Sequence, residues 1–170
     1  LGFVWWIIAS LMAITYPKTT KSWQNNFVLR HVFGFLTLIP FLWSVVILRA
    51  HDITVDPYHG AKLVLYVCFL VWAADSGAYF AGKSLGKRKM APHVSPNKTI
   101  EGLIGGIITA LIVAWAFADW FDIQFSSPVH MVLITLVTVV ISVLGDLVES
   151  MFKRVSGIKD SSNIIPGHGG

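Results

Sequence analysis

Five long apolar stretches, separated by short polar connections, limit what this chain can fold into more than any other feature. A helix needs roughly 20 residues, at a rise of 1.5 Å each, to cross a bilayer. The stretches cover approximately 1–16, 30–48, 61–82, 103–121 and 128–149. They predict an all-α integral membrane protein, a polytopic bundle with about five transmembrane helices in this chain.

The composition agrees with a membrane protein and excludes several other classes. Charged residues make up 13% of the chain and hydrophobic residues 55%, whereas about a quarter of the residues of a soluble domain are charged. The formal net charge of +4 comes from residues in short loops, a pattern that does not indicate a nucleic-acid partner. The single cysteine, Cys68, lies in an apolar run, which excludes a disulfide framework and a thiolate zinc site.

The distribution of basic residues predicts an orientation in the membrane. The numbers of Lys and Arg in successive polar segments are three in 18–31, two in 49–62, five in 83–98, none in 119–130 and three in 153–159. Because cytoplasmic segments carry the excess of basic residues, we expect loops 17–31 and 83–102 and the tail 150–170 to be cytoplasmic. We expect 1–170 to be one membrane-embedded domain and, from its non-Met start and its end inside a motif, a piece of a longer protein.

Two carboxylates lie inside predicted spans at matching depth. Asp75 precedes Lys83 by eight residues and Asp146 precedes Lys153 by seven, so each acid is roughly 10–12 Å inside the same boundary. A charged side chain at the bilayer centre costs roughly 3 kcal/mol or more and needs a partner or a polar cavity. We therefore expect both acids to meet in a cavity that binds a metal or positions a substrate. The alternative for Asp75 is a structural pairing with Lys83 or a hydroxyl cap.

The last predicted helix ends in four polar residues at helical spacing, Asp146, Glu149, Ser150 and Lys153. Positions i, i+3, i+4 and i+7 share one helix face, so two carboxylates, a hydroxyl and an ammonium line one stripe. For Glu149 and Lys153, an ordinary solvated i, i+4 pair is the alternative. This stripe leads into a glycine-rich segment in which His168 lies between glycines, which favours backbone N–H groups around an anion over metal ligation.

Residues 95–102 read as a loop that leads into a helix. Asn97 or Thr99 can cap that helix, and Glu101 falls in its first turn, where the helix dipole favours an acid. A helix N-terminus beside Lys98 is a candidate phosphate site. Within the helix, the Gly102-x-x-x-Gly106 spacing predicts a close helix–helix contact. The remaining histidines lie at helix boundaries and show no metal-ligand spacing: His31, His51, His59, His93 and His130.

Several of these segments together resemble a known family. The residues that carry the resemblance are Ser150-x-Phe152-Lys153-Arg154, four further residues, Lys159-Asp160-x-Ser162, then Pro166-x-His168-Gly169-Gly170; Asp75-Ser76-Gly77-Ala78-Tyr79; and Ser95-Pro96-x-Lys98-Thr99-x-Glu101-Gly102. They are similar to the signature and internal segments of the phosphatidate cytidylyltransferases, also called CDP-diacylglycerol synthases, in the same order. The resemblance covers essentially the whole chain and is strongest to the bacterial members.

The resemblance implies a function and a set of site residues. It implies an enzyme that makes CDP-diacylglycerol and pyrophosphate from CTP and phosphatidate in the bacterial inner membrane, with a cytoplasmic active site. We expect catalytic roles for Asp146, Lys153 and Asp160, and Mg²⁺ as cofactor. The expected metal ligands are Asp75, Asp146 and Glu149. The expected phosphate-binding residues are Lys98, Ser150, Arg154, Lys159, His168, Gly169 and Gly170. A shared monovalent cation and a homodimer are left open.

The sequence departs from the family's pattern at its last residue. In the family the glycine pair is followed by a hydrophobic-Asp-Arg run with further acids, whereas this sequence stops at Gly170. If that run supplies a metal carboxylate, the chain as given has an incomplete, inactive site.

The alternative function is an ion- or proton-coupled transporter that uses Asp75 and Asp146, although a transporter does not need the charged tail. The CDP-alcohol phosphotransferases are disfavoured because their Asp-Gly-x-x-Ala-Arg pattern is absent.

Overall fold

The chain is a helical bundle with one small β-hairpin at one end. The computed structural model describes residues 2–158. The elements are helices α1 (Gly2–Ile14), α2 (Phe27–Ala50), α3 (His59–Leu85), α4 (Ile100–Phe117) and α5 (Pro128–Val155), and strands β1 (Lys89–Ala91) and β2 (Ser95–Thr99). A short 3-10 turn, Thr20–Ser22, precedes α2.

The predicted helical membrane fold is confirmed, with differences in helix length. The four helices α2 to α5 are long and apolar enough to cross a membrane, whereas α1 has only 13 residues. Helix α5 continues to Val155, six residues beyond its predicted end, because Lys153 and Arg154 in its last turn suit the helix C-terminus. Helices α2 and α3 are likewise longer than predicted at both ends.

The segment that the sequence presents as a loop over residues 95–99 is instead a β-strand. It pairs with β1 in an antiparallel hairpin, with Lys89 opposite Thr99 and Ala91 opposite Ser95. Pro96 and the polar residues beside it do not form a typical strand pattern. The strand forms because the hairpin turn is anchored: Val94 is 2% exposed within an apolar cluster that α1 and α5 share.

Small residues bring α3 and α4 into backbone contact, which confirms the predicted glycine contact. The buried residues of α4 fall four apart along one stripe: Gly102, Gly106, Ala110 and Ala114. A Cβ added to Gly106 would lie 2.7 Å from the carbonyl oxygen of Ala74, and one added to Gly102 would lie 2.9 Å from that of Ala78. Between helices in lipid, such close packing is a main source of association.

The two ends of the bundle are held together by different contacts. At the hairpin end, the Arg30 guanidinium donates to Ser156 Oγ at 2.9 Å and joins the start of α2 to the end of α5. At the opposite end, Lys62 Nζ lies 3.4 Å from Asp56 and 3.6 Å from Asp122. A hydrogen bond from the Tyr58 N–H lowers the pKa of the Asp56 carboxyl. At the hairpin end, the Arg30–Ser156 bond and the packing of Val94 against Trp23 bring together the described parts of the three segments that are predicted to be cytoplasmic, 17–31, 83–102 and 150–170.

The α3–α4 contact predicts the effect of adding a single methyl group. We expect Gly106→Ala to lower the stability of the full-length protein by about 1–3 kcal/mol, because the new Cβ collides with the α3 backbone. Thermal unfolding in detergent measures this. Gly34→Ala in α2 is the control, since no atom lies within 4 Å of its added Cβ. Equal unfolding temperatures for the two variants would contradict the backbone contact.

Candidate functional site

A cavity of about 350 Å³ opens beside the hairpin, where α3, β2, α4 and α5 meet. Its polar lining includes Asp75 from α3, Lys98 from β2 and Asp146 from α5. Leu103, Val143 and other apolar side chains form the rest of its walls. Its volume falls within the range of small-molecule sites, about 300–1,000 Å³. The acids that the sequence predicts to meet are thus brought to one cavity by helices that are far apart in the chain.

The charges in the cavity form a compact group. The Lys98 ammonium makes an ion pair with Asp146 Oδ2, and the side chain of Lys98 is 22% exposed. Asp75 lines the same cavity, and no ion pair joins it to Lys83 within residues 2–158. Lys83 instead lies over the ring of Tyr79, 5.6 Å from its centroid. The structure therefore disfavours the predicted alternative in which Lys83 neutralises Asp75.

Contacts at the hairpin turn hold Lys98 in place. Val94 packs in the cluster formed by Trp5, Leu147, Val148, Met151 and their neighbours. Arg154 Nε donates to the carbonyl oxygen of Val94 at 3.2 Å, which ties the turn to the end of α5. The sequence predicts that Arg154 binds phosphate. In the structure its Nε instead holds the hairpin turn in position. Since β2 starts directly after this turn, the position of Lys98 follows from it.

Two side chains fix the other ends of the hairpin strands. Thr99 is the N-cap of α4, and its Oγ1 accepts from the Gly102 N–H at 3.1 Å. Of the two predicted caps, Thr99 is therefore the one used. Glu101 lies in the first turn as predicted, but its carboxylate also accepts from the N–H groups of Lys87 and Arg88 at 3.1 and 3.2 Å. The α3–β1 connection is held against α4 by these bonds.

The other predicted site residues lie outside the cavity or outside the described part of the chain. Glu149 pairs with Lys153 at 3.1 Å, the i, i+4 contact that the sequence leaves as an alternative. Ser150, Glu149 and Lys153 are not among the cavity-lining residues. Lys159, Asp160, His168, Gly169 and Gly170 lie outside the described residues, so their predicted roles stay predictions. Ser95 and Asn97 also line the cavity, and the signal available for them in the sequence was their closeness in the chain to Lys98.

Comparison with known proteins identifies the family of the chain. The model of the cytidylyltransferase family matches residues 1–170. The chain belongs to the cytidylyltransferase family. A phosphatidate cytidylyltransferase of Haemophilus influenzae is 54% identical over 169 residues, which is 98% of this chain and 59% of that protein. Similar enzymes of Pseudomonas aeruginosa and Bacillus subtilis are 42% and 44% identical, and the alignments cover 60% and 59% of those proteins. The chain thus spans about 60% of the length of these cytidylyltransferases.

The Thr99 cap of α4 predicts how the loss of one hydroxyl changes the stability of the protein and the hydrogen exchange of the hairpin. We expect Thr99→Val to cost about 1 kcal/mol of stability, because the Gly102 N–H loses its acceptor. Amide hydrogen exchange should accelerate over residues 87–102 and stay unchanged in α1. Thr99→Ser keeps the oxygen and should behave like the unchanged protein. Identical exchange in the Val and Ser variants would show that the cap does not hold the hairpin.

Proposed function

We propose that the full-length protein transfers a cytidylyl group from CTP to phosphatidate and releases CDP-diacylglycerol and pyrophosphate. The observation that carries this proposal is the cavity in which Asp75, Lys98 and Asp146 meet beside apolar walls. Three relatives named phosphatidate cytidylyltransferase, 42–54% identical to this chain, support it. The transporter alternative lacks comparable support, because the matching family and these relatives carry transferase names.

The reaction needs neutralisation of charge more than it needs a strong base. An oxygen of the lipid phosphate attacks the α-phosphorus of CTP, and the bond to the bridging oxygen breaks as pyrophosphate leaves with the electron pair. A phosphate monoester has a second pKa near about 6 and is largely a dianion at neutral pH. The barrier comes from repulsion between two polyanions and from charge that grows on the leaving group. Fixed positive charge and accurate positioning lower such barriers.

The donor set in the cavity fits Mg²⁺. Carboxylate oxygens are the ligands that this hard ion prefers, and Asp75 and Asp146 supply them from two helices. The Lys98 ammonium already pairs with Asp146, so this carboxylate accommodates a cation beside it. Asp75 and Asp146 would hold the ion, which when bound neutralises the triphosphate. Glu149 is left out of this pair because it does not line the cavity, and its carboxylate pairs with Lys153.

Lys98 would have two partners during the reaction. Without nucleotide it neutralises Asp146, which lowers the cost of a carboxylate within the bundle. When a cation and CTP enter, the ammonium is free to turn to the phosphates, and the adjacent N-terminus of α4 adds a favourable dipole for anions. Lys153 and Arg154, in the last turn of α5, would add further positive charge at this end of the bundle, and Lys159 lies outside the described residues.

The position of the cavity also fits a lipid substrate. Leu103 and Val143 belong to membrane-spanning helices and line the cavity together with the acids. A lipid headgroup can enter at this level while its acyl chains stay among the helices. Because the basic segments gather at the same end of the bundle, we place this end on the cytoplasmic side of the bacterial inner membrane. CTP would then reach the site from the cytosol.

The proposed role of Asp146 predicts the loss of activity in a nearly isosteric variant. We expect Asp146→Asn in the full-length protein to abolish CTP-dependent formation of lipid product, because the amide cannot supply the negative charge. Incorporation of labelled CTP into lipid in detergent micelles measures this. Asp119→Asn, at the opposite end of the bundle, is the matched control and should keep full activity. Unchanged turnover in a folded Asp146→Asn variant would reject the role.

The proposed role of Asp75 as a metal ligand predicts a change in the Mg²⁺ dependence of the activity. We expect Asp75→Asn to raise the Mg²⁺ concentration for half-maximal activity at least ~10-fold, because one carboxylate ligand of the ion is lost. A Mg²⁺ titration at saturating CTP measures this shift. If the half-maximal concentration stays the same, Asp75 has a structural role and the metal is held elsewhere.

A further inference from the structure

A group of metal-ligating side chains lies at the end of the bundle opposite the cavity. His51 closes α2, and its N–H donates to the Leu48 carbonyl at 3.3 Å. His59 opens α3, and its N–H donates to the Asp56 carbonyl at 3.1 Å. Asp52 lies between them with a left-handed φ of 51°. The connection between the two helices therefore folds back and brings together histidines that are eight residues apart in sequence.

The distances among these side chains suit one metal ion. One ligand atom from each of His51, Asp52 and His59 lies within 4.8 Å of the other two. His51 Nε2 and Asp52 Oδ2 are 3.4 Å apart. Tetrahedral zinc with ligand bonds of about 2.0–2.2 Å separates its ligand atoms by roughly 3.3–3.5 Å. The His51–Asp52 separation already has this value, and His59 offers a ring nitrogen within 4.8 Å of both.

We propose that His51, Asp52 and His59 bind a divalent transition metal of the zinc class at the α2–α3 turn. Two imidazoles and one carboxylate are a donor set for zinc, copper or nickel, not for Mg²⁺, which prefers oxygen ligands alone. His51 and Asp52 have side chains that are 58% exposed, so water completes the coordination. The site is separate from the cavity, because His59 is 16 residues, or about 24 Å, along α3 from Asp75.

Neighbouring charged residues are committed to other partners and leave this group available. Asp56 Oδ1 accepts from the Tyr58 N–H at 2.8 Å, and its Oδ2 pairs with Lys62. Arg49 donates to the Pro57 carbonyl at 3.1 Å. Within residues 2–158, the ion-pair partner of the Asp52 carboxylate is His51. No lysine or arginine in the described chain makes an ion pair with Asp52.

The backbone around the site is well fixed for side chains on a turn. The N–H groups of Val55 and Asp56 donate to the Asp52 carbonyl at 2.9 and 3.0 Å. Gly60 is buried, and a Cβ added to it would lie 2.6 Å from the Leu48 carbonyl oxygen. The last turn of α2, just before His51, therefore packs directly on Gly60, just after His59. A metal there joins α3 to α2, a helix without a buried residue in the described chain.

The test uses the full-length protein in detergent, without a histidine tag and stripped of metal by chelation. We expect Zn²⁺ to bind with one saturable equivalent by calorimetry, to raise the unfolding temperature, and to do both in the presence of excess Mg²⁺. Co²⁺ in its place should give the visible absorption bands of a low-coordinate nitrogen and oxygen site. His51→Ala and His59→Ala should each weaken binding at least ~10-fold.

The matched control is His130→Ala, an exposed histidine on another helix at the same end of the bundle. His130 Nδ1 makes a hydrogen bond with Ser126 Oγ. Its replacement should leave the Zn²⁺ affinity unchanged. Unfolding temperatures without metal should agree among the unchanged protein, His51→Ala and His130→Ala, since both of these side chains are exposed. Absence of saturable Zn²⁺ binding by the unchanged protein would overturn the proposal. Full affinity in both His51→Ala and His59→Ala would also overturn it.

Discussion

The small residues between α3 and α4 let two membrane helices approach to backbone contact, and the cavity depends on that approach. Gly102 and Gly106 face the carbonyls of Ala78 and Ala74, where a Cβ would lie within 2.9 Å of the oxygen. One turn further along, Ala74, Ala110 and Val139 form a buried cluster from α3, α4 and α5. This packed layer brings α5 against the pair of helices. Asp146 therefore reaches the same cavity as Asp75, which lies next to Ala74.

The second requirement is control of charge inside an apolar bundle. Two carboxylates at one cavity repel each other, and Lys98 compensates one of them directly. Lys98 is not on a membrane helix but on the hairpin. Val94 packs the hairpin against α1 and α5, and Thr99 and Glu101 hold its ends at the start of α4. A lysine on an anchored strand can neutralise an acid in one state and bind an anion in another without movement of a helix. The hairpin is thus as important to the proposed chemistry as the helices.

Much of the fold and the acid pair could be predicted from the sequence, and the reasons are physical. Apolar runs of bilayer length specify helices, and the equal depth of Asp75 and Asp146 follows from residue counts alone. The β-hairpin could not be predicted, because its strands are short and polar and form through the burial of Val94. The contacts of Arg154 depend on the same tertiary packing. The His51, Asp52 and His59 group was also missed, because spacing along a chain does not reveal where a turn folds back.

The central claim is that the two acids act on one cation with the nucleotide. Mn²⁺ in place of Mg²⁺ makes this measurable, since electron paramagnetic resonance reports free Mn²⁺ directly. The decisive measurement is the Mn²⁺ affinity, at saturating CTP, of the full-length protein, the two single variants Asp75→Asn and Asp146→Asn, and the double variant. Shared ligation predicts that the double variant loses less than the two single losses combined, by about 0.5–3 kcal/mol. Losses that add independently would contradict a common ion and the account built on it.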